Sequence, residues 1–181
     1  MKTLIVHPND NSTNFLCPIY ESIENKTVIR GGVTKKALLK IANKHDRIMM
    51  MGHGSKLGLL AVSQFYGEGH EDYIIDKNFV SSLSNKDNVF IWCHADMFVN
   101  QHQLNGFYSG MFISEVLEAY MYDYEVSQKT IDKSNNVFSK IVSNYINQSS
   151  SIIYENVKKD YGALAKTNPI AKYNHERLFL A

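Results

Sequence analysis

Cysteine is scarce in this sequence. The two residues present, Cys17 and Cys93, form no CxxC spacing, which argues against a disulfide framework and makes a reducing cytoplasm the expected setting. Charge of one sign is missing as well: Lys and Arg number 19, Asp and Glu 18, for a formal net charge of +1. The basic surplus of a dedicated nucleic-acid binder is therefore absent. With 3 Pro and 10 Gly in 181 residues, the chain is neither collagenous nor of low complexity. No window reaches the roughly 18 uninterrupted apolar residues of a membrane span. The opening Met1–Asp10 carries only the apolar run Leu4-Ile5-Val6, short of the about 7–15 residues a signal peptide needs. Neither a membrane nor a nucleic acid is an expected partner.

What is present suits a folded domain. Apolar residues make up 44% and charged residues 20%, and a chain of this size buries roughly 70% of the surface its unfolded form exposes. Four short apolar runs read as strands: Thr3–Val6, Thr27–Arg30, Arg47–Met51 and Val89–Trp92. Such runs are continuous rather than alternating, as in a parallel sheet covered on both faces. A helix fits between the second and third, capped by Thr34 with Ala37, Leu38, Ile41 and Ala42 on one face. Asp76–Leu83 reads as a second crossover helix, and Leu57–Val62 as a short extra strand or hairpin. Helical stripes then follow over Phe112–Tyr122, Phe138–Ile146 and Ile153–Leu164, with a polar break at Gln148–Ser151. The expected architecture is α/β: a mostly parallel sheet with crossover helices over about residues 1–100, and C-terminal helices over about 111–166. One domain spanning 1–181 is expected.

Open parallel sheets react at the carboxyl ends of their strands, and two runs end in reactive residues. Arg47–Met51 leads into Gly52-His53-Gly54-Ser55, and Val89–Trp92 leads into Cys93-His94-Ala95-Asp96. On neighbouring parallel strands, His53 and Cys93 meet at one sheet edge, within hydrogen bonding or a modest rearrangement of it. A thiol is mostly protonated at neutral pH, and a nearby imidazole can take its proton and later protonate a leaving amine. The N–H groups of Gly54 and Cys93 could hold an oxyanion, each such donor being worth roughly 3–4 kcal/mol. Taken alone, a strand-end cysteine is commonly a small buried hydrophobe; the paired context singles out Cys93, whereas Cys17 has none. His94 is a competing base, although adjacent strand residues face opposite sides. Asp96, Glu68, Glu71 and Asp72 could line a pocket for a basic side chain or be solvated loop carboxylates. Ser109, inside Gly106-Phe107-Tyr108-Ser109-Gly110, could shape a substrate cleft or be a simple turn.

The blocks Met51-Gly52-His53-Gly54-Ser55 and Val89-Phe90-Ile91-Trp92-Cys93-His94-Ala95 resemble the two signature blocks of the caspase-like (clan CD) cysteine peptidases. That family includes caspases, metacaspases, gingipains and the bacterial CHAT peptidases. The resemblance covers about residues 1–100. It implies a three-layer α/β/α fold and an endopeptidase acting on polypeptides through a thioester, with His53 as base, Cys93 as nucleophile and Gly54 in the oxyanion hole. No cofactor or metal is implied. The alternatives are a metal-dependent hydrolase drawing ligands from His53, His70, Cys93, His94, Asp96 and His102, and a non-catalytic binding module. No HExxH or CxxC spacing favours the metal, and neither GxGxxG nor GxxxxGK[ST] favours a nucleotide.

Overall fold

A computed structural model describes residues 1–181. Strand β1 (Thr3–Val6) is buried along its length and is followed by a 3-10 helix, Asn11–Tyr20, whose cap Asp10 accepts the Ser12 N–H. Strand β2 (Lys26–Ile29) leads into helix α1 (Lys35–Ala42), capped by the Thr34 hydroxyl, and then into β3 (Arg47–Met51). A separate small antiparallel sheet follows, made of β4 (Gly54–Ser55), β5 (Gly58–Leu60) and β6 (Tyr73–Ile75). A 3-10 turn runs into α2 (Val80–Leu83), then β7 (Asn88–Ile91), α3 (Ala95–His102) and β8 (Gly106–Ser109). The rest is α4 (Val116–Met121), α5 (Gln128–Tyr145), α6 (Ser150–Ala165), α7 (Pro169–Glu176) and β9 (Leu178–Leu180). No helix is long and apolar enough to cross a membrane.

The central sheet has the order β2-β1-β3-β7-β8-β9, parallel throughout except for β9, which runs antiparallel to β8. Side chains alternate across it, so each strand feeds two cores. Leu4, Val6, Ile48, Met50 and Phe90 pack with Leu38 and Ala42 of α1, Leu83 of α2 and Phe98 of α3. On the other face Ile5, Met49, Met51, Val89 and Ile91 meet Leu16 and Ile19, with Phe138 of α5 and Val157 of α6. Burial on both faces is why the strand text is continuously apolar. The result is the expected mostly parallel α/β sheet between two layers of helices.

Two strands fall outside residues 1–100. The Gly106–Ser109 text reads as a loop because it is short and flanked by glycines, yet Phe107 enters one core and Tyr108 the other. Glycine is required at 106, where φ is +147° and a Cβ would sit 2.2 Å from the Asn88 carbonyl oxygen. Strand β9 comprises three residues near the end of the chain, and its formation depends on the free edge of β8. The Phe112–Tyr122 stripe is helical only from Val116, because Glu115 adopts extended backbone to cap α4. The 148–151 break is a helix–helix turn pinned to the sheet floor: buried Arg47 donates to the carbonyls of Ile146 and Gln148, and Asp87 accepts the Ser150 N–H.

Candidate active site

Strands β3 and β7 pair in parallel with Met51 opposite Ile91. His53 lies two residues beyond the first and Cys93 two residues beyond the second, so both leave the same edge at the same level. Paired strands run about 4.8 Å apart, and the Gly52 N–H extends the ladder by donating to the Ile91 carbonyl at 3.1 Å. Both side chains line one narrow cleft of about 20 Å³, together with Thr13, Phe15, Phe112 and Glu118. That volume is close to the space one water occupies.

They are not hydrogen-bonded to each other. His53 Nε2 lies 2.7 Å from the Ser12 hydroxyl, which donates to Asp10 Oδ1 at 2.6 Å. A hydroxyl has one proton to give. With that proton on the carboxylate, Nε2–H is the donor to Ser12, and the lone pair of the neutral ring sits on Nδ1. Asp10 Oδ1 is itself 3.8 Å from Nε2. The Ser12 hydroxyl, the Ser12 N–H and the neighbouring His53 hold the Asp10 carboxyl below the usual carboxylate range.

Cys93 has the opposite surroundings. Its Sγ donates toward the Phe112 carbonyl at 3.5 Å and toward Glu118 Oε1 at 3.9 Å. Burial, reinforced by the Glu118 charge, pushes the thiol up to about 12.

Backbone donors flank the pair. The Leu60 N–H donates to the His53 carbonyl, so Gly54 and Leu59 form the next, non-hydrogen-bonded pair of the β4–β5 ladder. In that position the Gly54 N–H points away from β5. The Cys93 N–H donates to no backbone carbonyl. Gly54 has no room for a side chain, since a Cβ would lie 2.2 Å from Trp92 Cδ1. The Trp92 indole N–H in turn donates to the Ser55 carbonyl at 3.0 Å, tying the hairpin after His53 to the strand before Cys93.

Two expected pocket residues lie elsewhere. Ser109 shapes no cleft: it ends β8, is fully buried, and donates to the Trp92 carbonyl at 3.0 Å. Asp96 is neither a loop carboxylate nor a wall of the Cys93 cleft. It sits in the first turn of α3 and lines a different cavity with His94, Tyr173 and Arg177. The cause is His94, whose left-handed backbone (φ 65°) turns the chain sharply into α3 and separates its own side from that of Cys93. Glu71 pairs with His70 at the surface and Asp72 accepts the Gly69 N–H. The proposed metal ligands are dispersed, and no three His, Cys, Asp or Glu side chains are arranged to hold an ion. Cys17 accepts from the Tyr20 hydroxyl.

Sequence reasoning missed Ser12, Asp10 and Glu118. Asp10 and Ser12 carry the signal of a helix start, Asp-x-Ser, which reads as a cap and gives no hint of a histidine 41 residues away. Next to the cleft lies a polar cavity of about 450 Å³ that shares Phe15 and Ser114 with it and is lined further by Asn11, Glu115, Asp132 and Asn135.

No family model and no curated protein matches the sequence. Among solved structures, the chain is similar to one from Porphyromonas gingivalis, the complex of RgpB pro- and mature domains, with 13% sequence identity and a TM-score of 0.47. The match takes in 99% of this chain and 47% of that one, so this chain spans about half its length.

Proposed function

We propose that this chain is a caspase-like cysteine peptidase that hydrolyses polypeptides through a thioester acyl-enzyme, with Cys93 as nucleophile and His53 as base. The observation that carries the reading is the delivery of His53 and Cys93 to one cleft from the ends of adjacent parallel strands. The Ser12–Asp10 pair supports it by leaving Nδ1 as the basic nitrogen. In the reaction, the Cys93 proton passes to His53 Nδ1 and the sulfur attacks the scissile carbonyl carbon. The Gly54 and Cys93 N–H groups receive the oxyanion. His53 then protonates the leaving amine, Asp10 stabilising the imidazolium, and water drawn by His53 hydrolyses the thioester. The polar cavity beside the cleft offers amide and carboxylate partners for the bound peptide.

The raised Cys93 thiol favours a second reading, a non-catalytic binding module on the same scaffold. Labelling with a panel of peptidyl electrophiles separates the two. The peptidase reading expects covalent labelling at Cys93 that is lost in Cys93→Ala and falls in His53→Ala by about 10²–10⁴-fold, the usual contribution of a general base. Absence of labelling across the panel in a folded protein, with no cleavage of a peptide library, would leave the binding module.

A further inference from the structure

The surroundings of Cys93 are organised, and they oppose its ionisation. One carboxylate oxygen of Glu118 is fixed by three donors of its own segment: the Ser114 N–H at 2.7 Å, the Ser114 hydroxyl at 3.0 Å and the Glu115 N–H at 3.1 Å. With Oε2 so held, Oε1 is aimed at the sulfur, 3.9 Å away. A carboxylate in that position acts twice, repelling a thiolate and accepting the proton that only the thiol can offer. The Phe112 carbonyl accepts from the same proton at 3.5 Å. Phe112, Ser114 and Glu118 also form one wall of the cleft, which at about 20 Å³ has no room for a peptide.

The element carrying Glu118 is lightly attached. Of the six residues of α4 only Ala119 is buried, while Leu117, Tyr120 and Met121 are 76%, 70% and 78% exposed. Elements with so few buried apolar contacts are the ones that open at low cost.

We propose that Glu115–Met121 is an autoinhibitory strap, hinged on the buried Phe112–Ile113 anchor, in which Glu118 holds Cys93 as a thiol and closes the cleft until the strap is displaced. The proposal rests on the peptidase reading, since a lock has a purpose only where the thiol is the nucleophile. Displacement removes the Glu118 carboxylate from the thiol, while Phe112 stays in the core. The S–H bond then breaks toward His53 Nδ1, giving a thiolate–imidazolium pair with no other reactant.

Glu118→Gln tests the lock. A glutamine serves in a capping box as a glutamate does, so the oxygen held by Ser114 and Glu115 is retained while the charge is lost. Glu115, the other carboxylate acting on the thiol, and His53 across the cleft are unchanged. The measurement is the rate of Cys93 alkylation by iodoacetamide at about pH 7, read by peptide mapping to keep Cys17 apart. Glu118→Gln should alkylate about three- to tenfold faster, because a thiol lowered by one pKa unit gains about tenfold in thiolate and loses part of that in intrinsic nucleophilicity. An unchanged rate in a variant that melts like the parent overturns the proposal. If Glu118→Gln does not fold, Glu118→Asp withdraws the carboxylate by one methylene; a smaller acceleration is expected, and none overturns the proposal equally. Adding His53→Ala keeps the two readings apart. Acceleration by Glu118→Gln that is indifferent to His53 supports the lock and counts against the peptidase. Slowing by His53→Ala with no effect of Glu118→Gln does the reverse.

Discussion

His53 and Cys93 leave the same sheet edge at the same level, and yet the two sides of the cleft are prepared in opposite ways. On the histidine side the Ser12 hydroxyl fixes the tautomer, the Asp10 carboxylate lies 3.8 Å from Nε2, and Nδ1 has no partner. On the cysteine side partial burial and the Glu118 carboxylate favour the resting thiol and outweigh the Phe112 backbone, which acts the other way. Local chemistry rather than position along the sheet sets what each group can do. A strand end delivers a side chain, and the segments laid over it decide its protonation state.

The largest effect is expected where the two sides are joined. Trp92 is 2% exposed, packs on Gly54, and donates to the Ser55 carbonyl. Trp92→Ala should cost about 3–5 kcal/mol in urea unfolding, the range for truncating a buried aromatic, and should uncouple His53 from Cys93. A loss below about 1 kcal/mol would show that the hairpin is held by other contacts.

A second histidine sharpens the contrast between exposed and enclosed imidazoles. His7 is fully buried between Tyr20 and Thr13, and burial, aided by Arg30, lowers it from 6.5 to about 4. Between those values the unfolded chain binds a proton that the folded one refuses. Stability is therefore complete above about pH 6.5 and falls as pH drops toward 4, by at most about 3 kcal/mol. Asp10, lowered from 3.8, adds its loss only below that window. Chemical denaturation between pH 7 and 4 should show the slope in the parent, and His7→Gln should flatten it. An equal slope in both would assign the acid sensitivity elsewhere.

The smallest effect tests orientation alone. Ser12→Ala leaves His53 in place and removes the bridge to Asp10. Cys93 labelling by a peptidyl electrophile should fall about tenfold, less than for His53→Ala, with its pH dependence shifted because the two ring nitrogens become alternative protonation sites. No shift in the pH profile would reduce Ser12 to a helix cap.

Much of this molecule is written locally. The continuous apolar text of Thr3–Val6 and Arg47–Met51 becomes two fully buried strands with those same bounds, Thr34 caps its helix as its side chain dictates, and the Gly-rich text after His53 becomes a hairpin. The order strand, helix, strand then brings the Gly-His-Gly turn and the Trp-Cys step to one sheet edge. Burial on both faces and the short reach of a parallel crossover leave a chain with this pattern few other courses.

What the sequence could not determine depends on partners far along the chain. Gly106–Ser109 has the text of a loop and becomes a central strand because β7 offers it an edge, and β9 pairs with that strand only after the whole helical half has returned to the sheet. Ser109 and Asp96, plausible pocket residues by text, are drawn away by the Trp92 carbonyl and by the left-handed turn at His94. The contacts of Ser12 with His53 and of Glu118 with Cys93 cross 41 and 25 residues. No periodicity records such contacts, because a hydrogen bond between loops is set by where packed elements carry them. The sequence by itself determined the first four strands of the central sheet, their two covered faces and the arrival of His53 and Cys93 at one edge; the tertiary structure alone decided that His53 is bridged through Ser12 to Asp10 and that Cys93 lies against Glu118, because those contacts join segments that only packing brings together.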